Sequence, residues 1–159
     1  MAKESDIEEV RARIDATDER LQELISTRAE LATEIAKLKR ESDSAAVFYR
    51  PEREAKVLRE IIKRNKGPLE NNEIARLFRE IMSACLALEQ KLNIAFLGPE
   101  ATFTQSAALK HFGHSVSTNP QKSIAEVFRE VEVGACDYGV VPIENSIEGA
   151  INQTLDMLV

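Results

Sequence analysis

Three cations carry the strongest chemical hint in this chain: Arg11, Arg28 and Lys39, all within one heptad-patterned stretch. From Ser5 to Arg40, apolar residues recur at Ile7, Val10, Ile14, Leu21, Leu24, Leu31, Ile35 and Leu38, with Thr17 in register. That spacing predicts a single long helix with one apolar seam. Arg28 occupies a seam position between Leu21 and Ile35, and Arg11, Asp18 and Lys39 lie beside the seam. Eleven residues at about 100° each return almost to the starting direction, so Arg28 and Lys39 share a face. Arg11 points about 100° away from Arg28 by the same arithmetic.

A guanidinium at a core position needs an anion, because burying it alone is costly. Two readings are open. One is an internal salt bridge, or a polar seam position that fixes the register of paired helices. The other is an anion site between helices filled by a carboxylate ligand, which the fork of donors on arginine suits.

These residues need elements to position them. The first helix would run about 50 Å at 1.5 Å per residue. A compact domain of this part of the chain has a radius of gyration of only roughly 12 Å. Such a helix cannot cover its own seam, so a partner chain is expected, most simply in a two-fold dimer. After a polar break at Glu41–Ala45, Arg50-Pro51-Glu52 opens a second helix, with proline at the first helical position and acids in the first turn. Gly67-Pro68 is expected to close it through a left-handed glycine cap. Asn71 or Asn72 is expected to cap a third helix, whose stripe runs Ile74, Leu77, Phe78, Ile81, Met82, Cys85, Leu88, Leu92. Glu89 falls on that stripe, where it is either frayed to water or protonated and partnered.

The period changes after Leu92. Ile94–Leu97 reads as a buried strand, Thr102–Phe112 as a helix and Ser115–Ser117 as a strand. Ser123, with Glu126 three residues on, caps another helix; Tyr138–Val141 is a strand and Glu148–Leu158 a helix. This alternation predicts a parallel sheet. Small polar residues collect at two strand ends, Gly98–Thr104 and Pro142–Gly149, where ligands of such sheets bind. Three strands make a thin sheet with a face left to cover, so this segment reads as an incomplete α/β domain.

Composition narrows the function classes. Of 159 residues, 43% are hydrophobic and 30% charged, and the net charge is −6. Residues 1–93 hold 18 basic and 19 acidic side chains, whereas residues 94–159 hold 3 and 8. That shift places a domain boundary near Lys91–Asn93, giving domains 1–92 and 93–159. An acidic chain without a basic block argues against nucleic acid as a partner. No run of 18 apolar residues predicts a membrane span, and the start MAKESDIEEV has no secretory h-region. The cytoplasm is the natural compartment. Cys85 and Cys136 are too isolated for a disulfide framework or a metal site, and His111 and His114 read as surface histidines. Without a glycine-rich phosphate loop, no nucleotide or other cofactor is expected.

Three segments, VRARIDATDERLQELISTRAELATEIAKLK, YRPEREAKVL and ARLFREIMSACLALEQ, resemble the all-helical class of chorismate mutases. IAFLGPEATFTQSAA and DYGVVPIENSIEGAINQTLDML resemble the opening of a prephenate dehydratase domain. Together they resemble the amino-terminal part of bifunctional enzymes of phenylalanine biosynthesis.

The resemblance implies an all-α three-helix domain that forms an intertwined homodimer, followed by part of a periplasmic-binding-like α/β domain. It implies that Arg28 and Arg53 hold the two carboxylates of chorismate, and that Arg11 reaches into the partner chain's site. Lys39 and Glu89 would bind the ether oxygen, and Glu54 the ring hydroxyl. Two positions depart from the pattern: Cys85 stands where some members have Ser, and Arg50 where some have Asp. Thr102, Thr104, Asn145 and Ser146 fall in motifs that resemble the dehydratase cleft, although each also suits a turn or cap. The family's catalytic Thr-Arg-Phe segment does not occur in this sequence, so no dehydratase activity is expected from it. A competing reading is non-enzymatic: a helical dimerisation module carried on a ligand-sensing α/β domain.

Overall fold

The computed structural model describes the backbone of residues 2–42, 47–145, 149–150 and 152–157. Side chains are described for residues 4–42, 47–144 and 154–157. Ser146 therefore lies outside the described residues, as does the side chain of Asn145. The chain divides into two compact units, Met1–Val47 and Phe48–Val159.

The first unit is one helix, α1 (Ala2–Ser42), extending the expected span at both ends. Its ends carry the charges that a helix dipole favours, with Glu4 in the first turn and Lys39 and Arg40 in the last. The hydroxyls of Thr17, Ser26, Thr27 and Thr33 each donate to the carbonyl four residues back, so these polar groups are satisfied without breaking the helix. The seam is not covered: Ile7, Ile14, Leu21, Leu24, Leu31 and Leu38 are all at least half exposed, and Leu24 reaches 66%.

The second unit begins with two amphipathic helices that pack on each other, α2 (Pro51–Arg64) and α3 (Asn71–Glu89). Pro51 takes the first helical position as expected. The ends between them differ from expectation. Gly67 does not adopt a left-handed conformation. Instead α2 stops at Asn65 in an extended conformation, and the Asn65 amide donates to the Leu69 carbonyl at 2.8 Å and to Asn71 Oδ1 at 2.9 Å. Asn71 is thus the first residue of α3 rather than its cap, and the N-cap is Glu70, which makes no side-chain capping bond.

Beyond α3 come β1 (Asn93–Leu97), α4 (Phe103–Phe112), β2 (Ser117–Gln121), α5 (Ile124–Glu132) and β3 (Tyr138–Val140). A two-stranded hairpin of β4 (Glu144–Asn145) and β5 (Gly149–Ala150) precedes a short α6 (Asn152–Asp156). The sheet order is β2-β1-β3 with both pairings parallel, as the alternation of elements requires. Central β1 is buried, with Ile94, Ala95 and Phe96 at 0% exposure. Tyr49, Leu92, Ile94 and Ala108 form one core, flanked by Leu86, Phe112, Val116, Tyr138 and Val140. Ala95, Val127 and Cys136 form a second, beneath α5. The α2–α3 hairpin is therefore packed onto the sheet through Tyr49 and Leu86.

The second strand lies further along than Ser115–Ser117. It pairs Ser117 with Asn93 and continues to Gln121 opposite Leu97. Pro120 is tolerated because β2 is an edge strand and needs a partner on one side only. The helix starts follow the expected chemistry. Thr102 Oγ1 accepts from Gln105 N at 3.4 Å at the head of α4, and Ser123 Oγ accepts from Glu126 N at 3.2 Å at the head of α5. The Glu126 carboxylate in turn accepts from Lys122 N at 3.0 Å, one residue ahead of the usual capping-box donor.

Candidate active site

The candidate residues fall into both units, and each unit is described by itself. On α1, Arg28 and Lys39 are half-buried while the seam around them is open. Lys39 Nζ lies 3.5 Å from the Val47 carbonyl. Arg11 is exposed, and its guanidinium meets Glu8 one turn earlier at 2.5 Å. An exposed pair at this spacing contributes a few tenths of a kcal/mol, so it does not fix Arg11 in place.

In the second unit, Arg53 and Glu54 sit in the first turn of α2, where Pro51 sets the start. Arg53 is exposed and Glu54 is half-buried. Arg50 is the N-cap residue of α2; its carbonyl accepts from Glu54 N at 3.1 Å, and its side chain makes no cap. On α3, Cys85 is buried at 4% exposure and Glu89 is half-buried at the last helical position.

Glu54 has surroundings that the sequence does not announce. Arg79 of α3 approaches it with Nε 3.5 Å from Oε1, and the two side chains are 29% and 19% exposed. Burial pushes the Glu54 carboxyl above its ordinary value, and the charges of Arg79 and His111 oppose that without cancelling it. Arg79 Nε is buried and, among the described residues, has no hydrogen-bond acceptor. At 3.5 Å it forms an ion pair with Glu54 rather than a well-made hydrogen bond.

Tyr49 stands next to this pair. It is 6% exposed, and its hydroxyl lies 3.5 Å from His111 Nε2. Its ring packs edge-on against Tyr138 at 5.4 Å and tilted against Phe112 at 5.7 Å. Burial, and then the Glu54 charge, push the Tyr49 phenol up to about 12, so it stays neutral. In the sequence no role attaches to Arg79 or Tyr49, and His111 reads as a surface histidine. Their only sequence signal is polar groups at positions flanking apolar stripes, and the fold is needed to bring them together.

At the strand ends, Thr102 acts as the α4 cap and also donates to the Leu97 carbonyl at 3.4 Å. Thr104 is half-buried in the first turn. A hollow of about 430 Å³ lies against Ala101, Thr102, Phe103 and Ser106. Phe103 is 97% exposed at its rim. The backbone of Asn145 pairs with Gly149 in the β4–β5 hairpin. Among the described residues no cluster of three His, Cys, Asp or Glu is arranged to hold a metal ion, and no helix is long and apolar enough to cross a membrane.

Comparison with known proteins gives two family matches, whose limits differ from those of the two compact units. Residues 10–90 match the family model for chorismate mutase type II, and residues 94–159 match that for prephenate dehydratase. The bifunctional chorismate mutase/prephenate dehydratase of Pseudomonas aeruginosa is 60% identical over 159 residues, covering 98% of this chain and 44% of that protein. The proteins of the same description from Aquifex aeolicus and Escherichia coli K12 are 44% and 35% identical, over 96% and 99% of this chain and 42% and 45% of theirs. The chain thus spans less than half the length of these relatives. A solved prephenate dehydratase from Streptococcus mutans aligns with 43% of this chain and 36% of its own, at 38% identity and a TM-score of 0.40. The mutase match takes in just over half of the chain, including Arg11, Arg28, Lys39, Arg53, Glu54, Cys85 and Glu89, and on that ground the chain belongs to the chorismate mutase type II family.

Proposed function

We propose that the chain catalyses the rearrangement of chorismate to prephenate. The reaction is intramolecular: an ether C–O bond breaks as a new C–C bond forms, with no nucleophile, proton transfer or cofactor required. The protein has to hold a dianion in a compact conformer and stabilise the charge that grows on the ether oxygen. In this proposal Arg28 and Arg53 clamp the carboxylates, Lys39 and Glu89 donate to the ether oxygen, and Glu54 accepts from the ring hydroxyl. Arg11 serves the site of a second copy, in an intertwined homodimer. The domains are residues 1–92 for the mutase and 93–159 for the start of a periplasmic-binding-like dehydratase domain, acting in the cytoplasm.

The observation that carries this reading is the open seam of α1, with two cations half-buried on one face of it. A helix of 41 residues with that much apolar surface in water calls for a partner, and the half-buried Arg28 guanidinium calls for an anion. The test is the loss of chorismate absorbance on adding the purified chain, together with its mass in solution. A dimer that consumes chorismate is expected, and Arg28→Ala should reduce turnover by about 10²–10³ while leaving the dimer folded. A monomer, or a dimer that leaves chorismate untouched, would defeat the proposal.

A further inference from the structure

Glu54 is held by the fold before any ligand reaches it. Its carboxylate is mostly buried at the start of α2, and the group that faces it at close range is Arg79, which α3 brings from 25 positions further along the chain. His111 from α4 also acts on it electrostatically. Tyr49, from the segment leading into α2, stays a neutral phenol beside it. A carboxylate in such surroundings has two ways to fail as an acceptor. It can rotate away, or it can take up a proton. A guanidinium 3.5 Å away opposes both, because it attracts the anion and limits the rotamers open to it.

The pairing is not a general stabilising bridge. A partly buried ion pair offers little net stability once desolvation is counted. The Nε donor of Arg79 is moreover buried without an acceptor among the described residues, a cost that a stability-driven design would avoid. Arg53, the neighbour of Glu54 in the same turn, is exposed, and the ion pair to Glu54 comes from Arg79 instead.

We infer that Arg79 is a positioning residue for the mutase reaction: it orients the Glu54 carboxylate toward the hydroxyl-bearing part of the substrate and keeps it an acceptor. The inference rests on the mutase reading above. It predicts that Arg79 matters only through Glu54.

A double-mutant cycle reads this out. The kcat and KM for chorismate are measured for the full chain, for Arg79→Gln, for Glu54→Gln and for the double variant, with helical circular dichroism recorded for each. Arg79→Gln should raise KM about tenfold with a much smaller change in kcat, because a hydroxyl contact made in both ground and transition states is weakened. In the Glu54→Gln background the same substitution should change KM less than about twofold. Arg79→Lys should recover most of the loss, and it replaces Arg79→Gln in the cycle if the glutamine variant loses helical signal. Equal losses in both backgrounds, or no loss in either, would overturn the positioning role while leaving the mutase reading intact. A wild-type chain that does not turn over chorismate would overturn both.

Discussion

The backbone N–H and the ring Nδ1 of His114 both meet the Glu80 carboxylate, at 3.0 and 2.9 Å. Glu80 belongs to α3, within the stretch matched by the mutase family, and His114 to the turn before β2, within the dehydratase match. Ser83, one turn further along α3, accepts from Ser115 N at 3.4 Å. The two family segments are thus joined by polar contacts to backbone as well as by the Tyr49 and Leu86 packing. The consequence is that α2 and α3 share one compact unit with the sheet, and substitutions on either side of the family boundary act on the same fold.

Glu80→Ala should therefore loosen the attachment of α3. Burial alone would raise the Glu80 carboxyl, but the two bonds from His114, with the charges of His114 and Arg76, outweigh it and leave the group below its ordinary value. The sign follows: a depressed carboxylate contributes stability above the pH at which it titrates when unfolded, and loses it as pH falls through the lower folded value. Thermal melts of the variant should lie below wild type by about 1–2 kcal/mol near neutrality, and the gap should close in acid. A gap that widens as pH falls would contradict the assignment.

Gly113 ends α4 with φ of +79°, a conformation that suits glycine. A Cβ there would also lie 2.6 Å from the Ser83 hydroxyl oxygen. Gly113→Ala should thus cost about 2 kcal/mol or more, combining an unfavourable backbone with overpacking. The double variant Gly113→Ala, Ser83→Gly should recover part of this, leaving the backbone share. Denaturant midpoints of Gly113→Ala, Ser83→Gly and the double variant separate the two contributions. Full recovery would show that the left-handed backbone costs nothing.

Much of this organisation was legible before the fold was known, for physical reasons that can be named. The long helix stands out because a heptad stripe over five turns or more has no competing period, and Pro51, Thr102 and Ser123 mark starts because their chemistry acts within three residues. β2 was legible only in part: a strand was expected at Ser115–Ser117, whereas it runs Ser117–Gln121, and its place at the edge of the sheet is what lets Asn119 and Pro120 serve in it. The direction of Arg28 and Lys39 follows from helix periodicity alone. The pairing of Glu54 with Arg79 does not, because it depends on how two helices meet.

Arg50 offers a gain rather than a loss. It stands at the N-cap of α2 in an extended conformation with φ of −130°, and its side chain makes no capping bond. Aspartate at that position would accept from the first-turn N–H groups and place a negative charge at the positive end of the helix. Arg50→Asp should raise stability by about 0.5–1 kcal/mol. The urea midpoint checks this, and an unchanged or lower midpoint would show that the Arg50 side chain has a role that the cap does not replace.

Glu89 provides the sharpest chemical test of the proposed reaction. It is half-buried as the last residue of α3. A carboxylate has no proton to give an ether oxygen, whereas a carboxylic acid has one. Turnover should thus fall about tenfold per pH unit once Glu89 ionises, as for any catalytic group active in one protonation state. Glutamine carries its donor at every pH, so Glu89→Gln should hold its activity where the wild type declines. Glu89→Ala, with no donor at all, should be slower by about 10²–10³ at the wild-type optimum. Coincident pH profiles for wild type and Glu89→Gln would remove Glu89 from the ether-oxygen role and leave Lys39 to supply it alone.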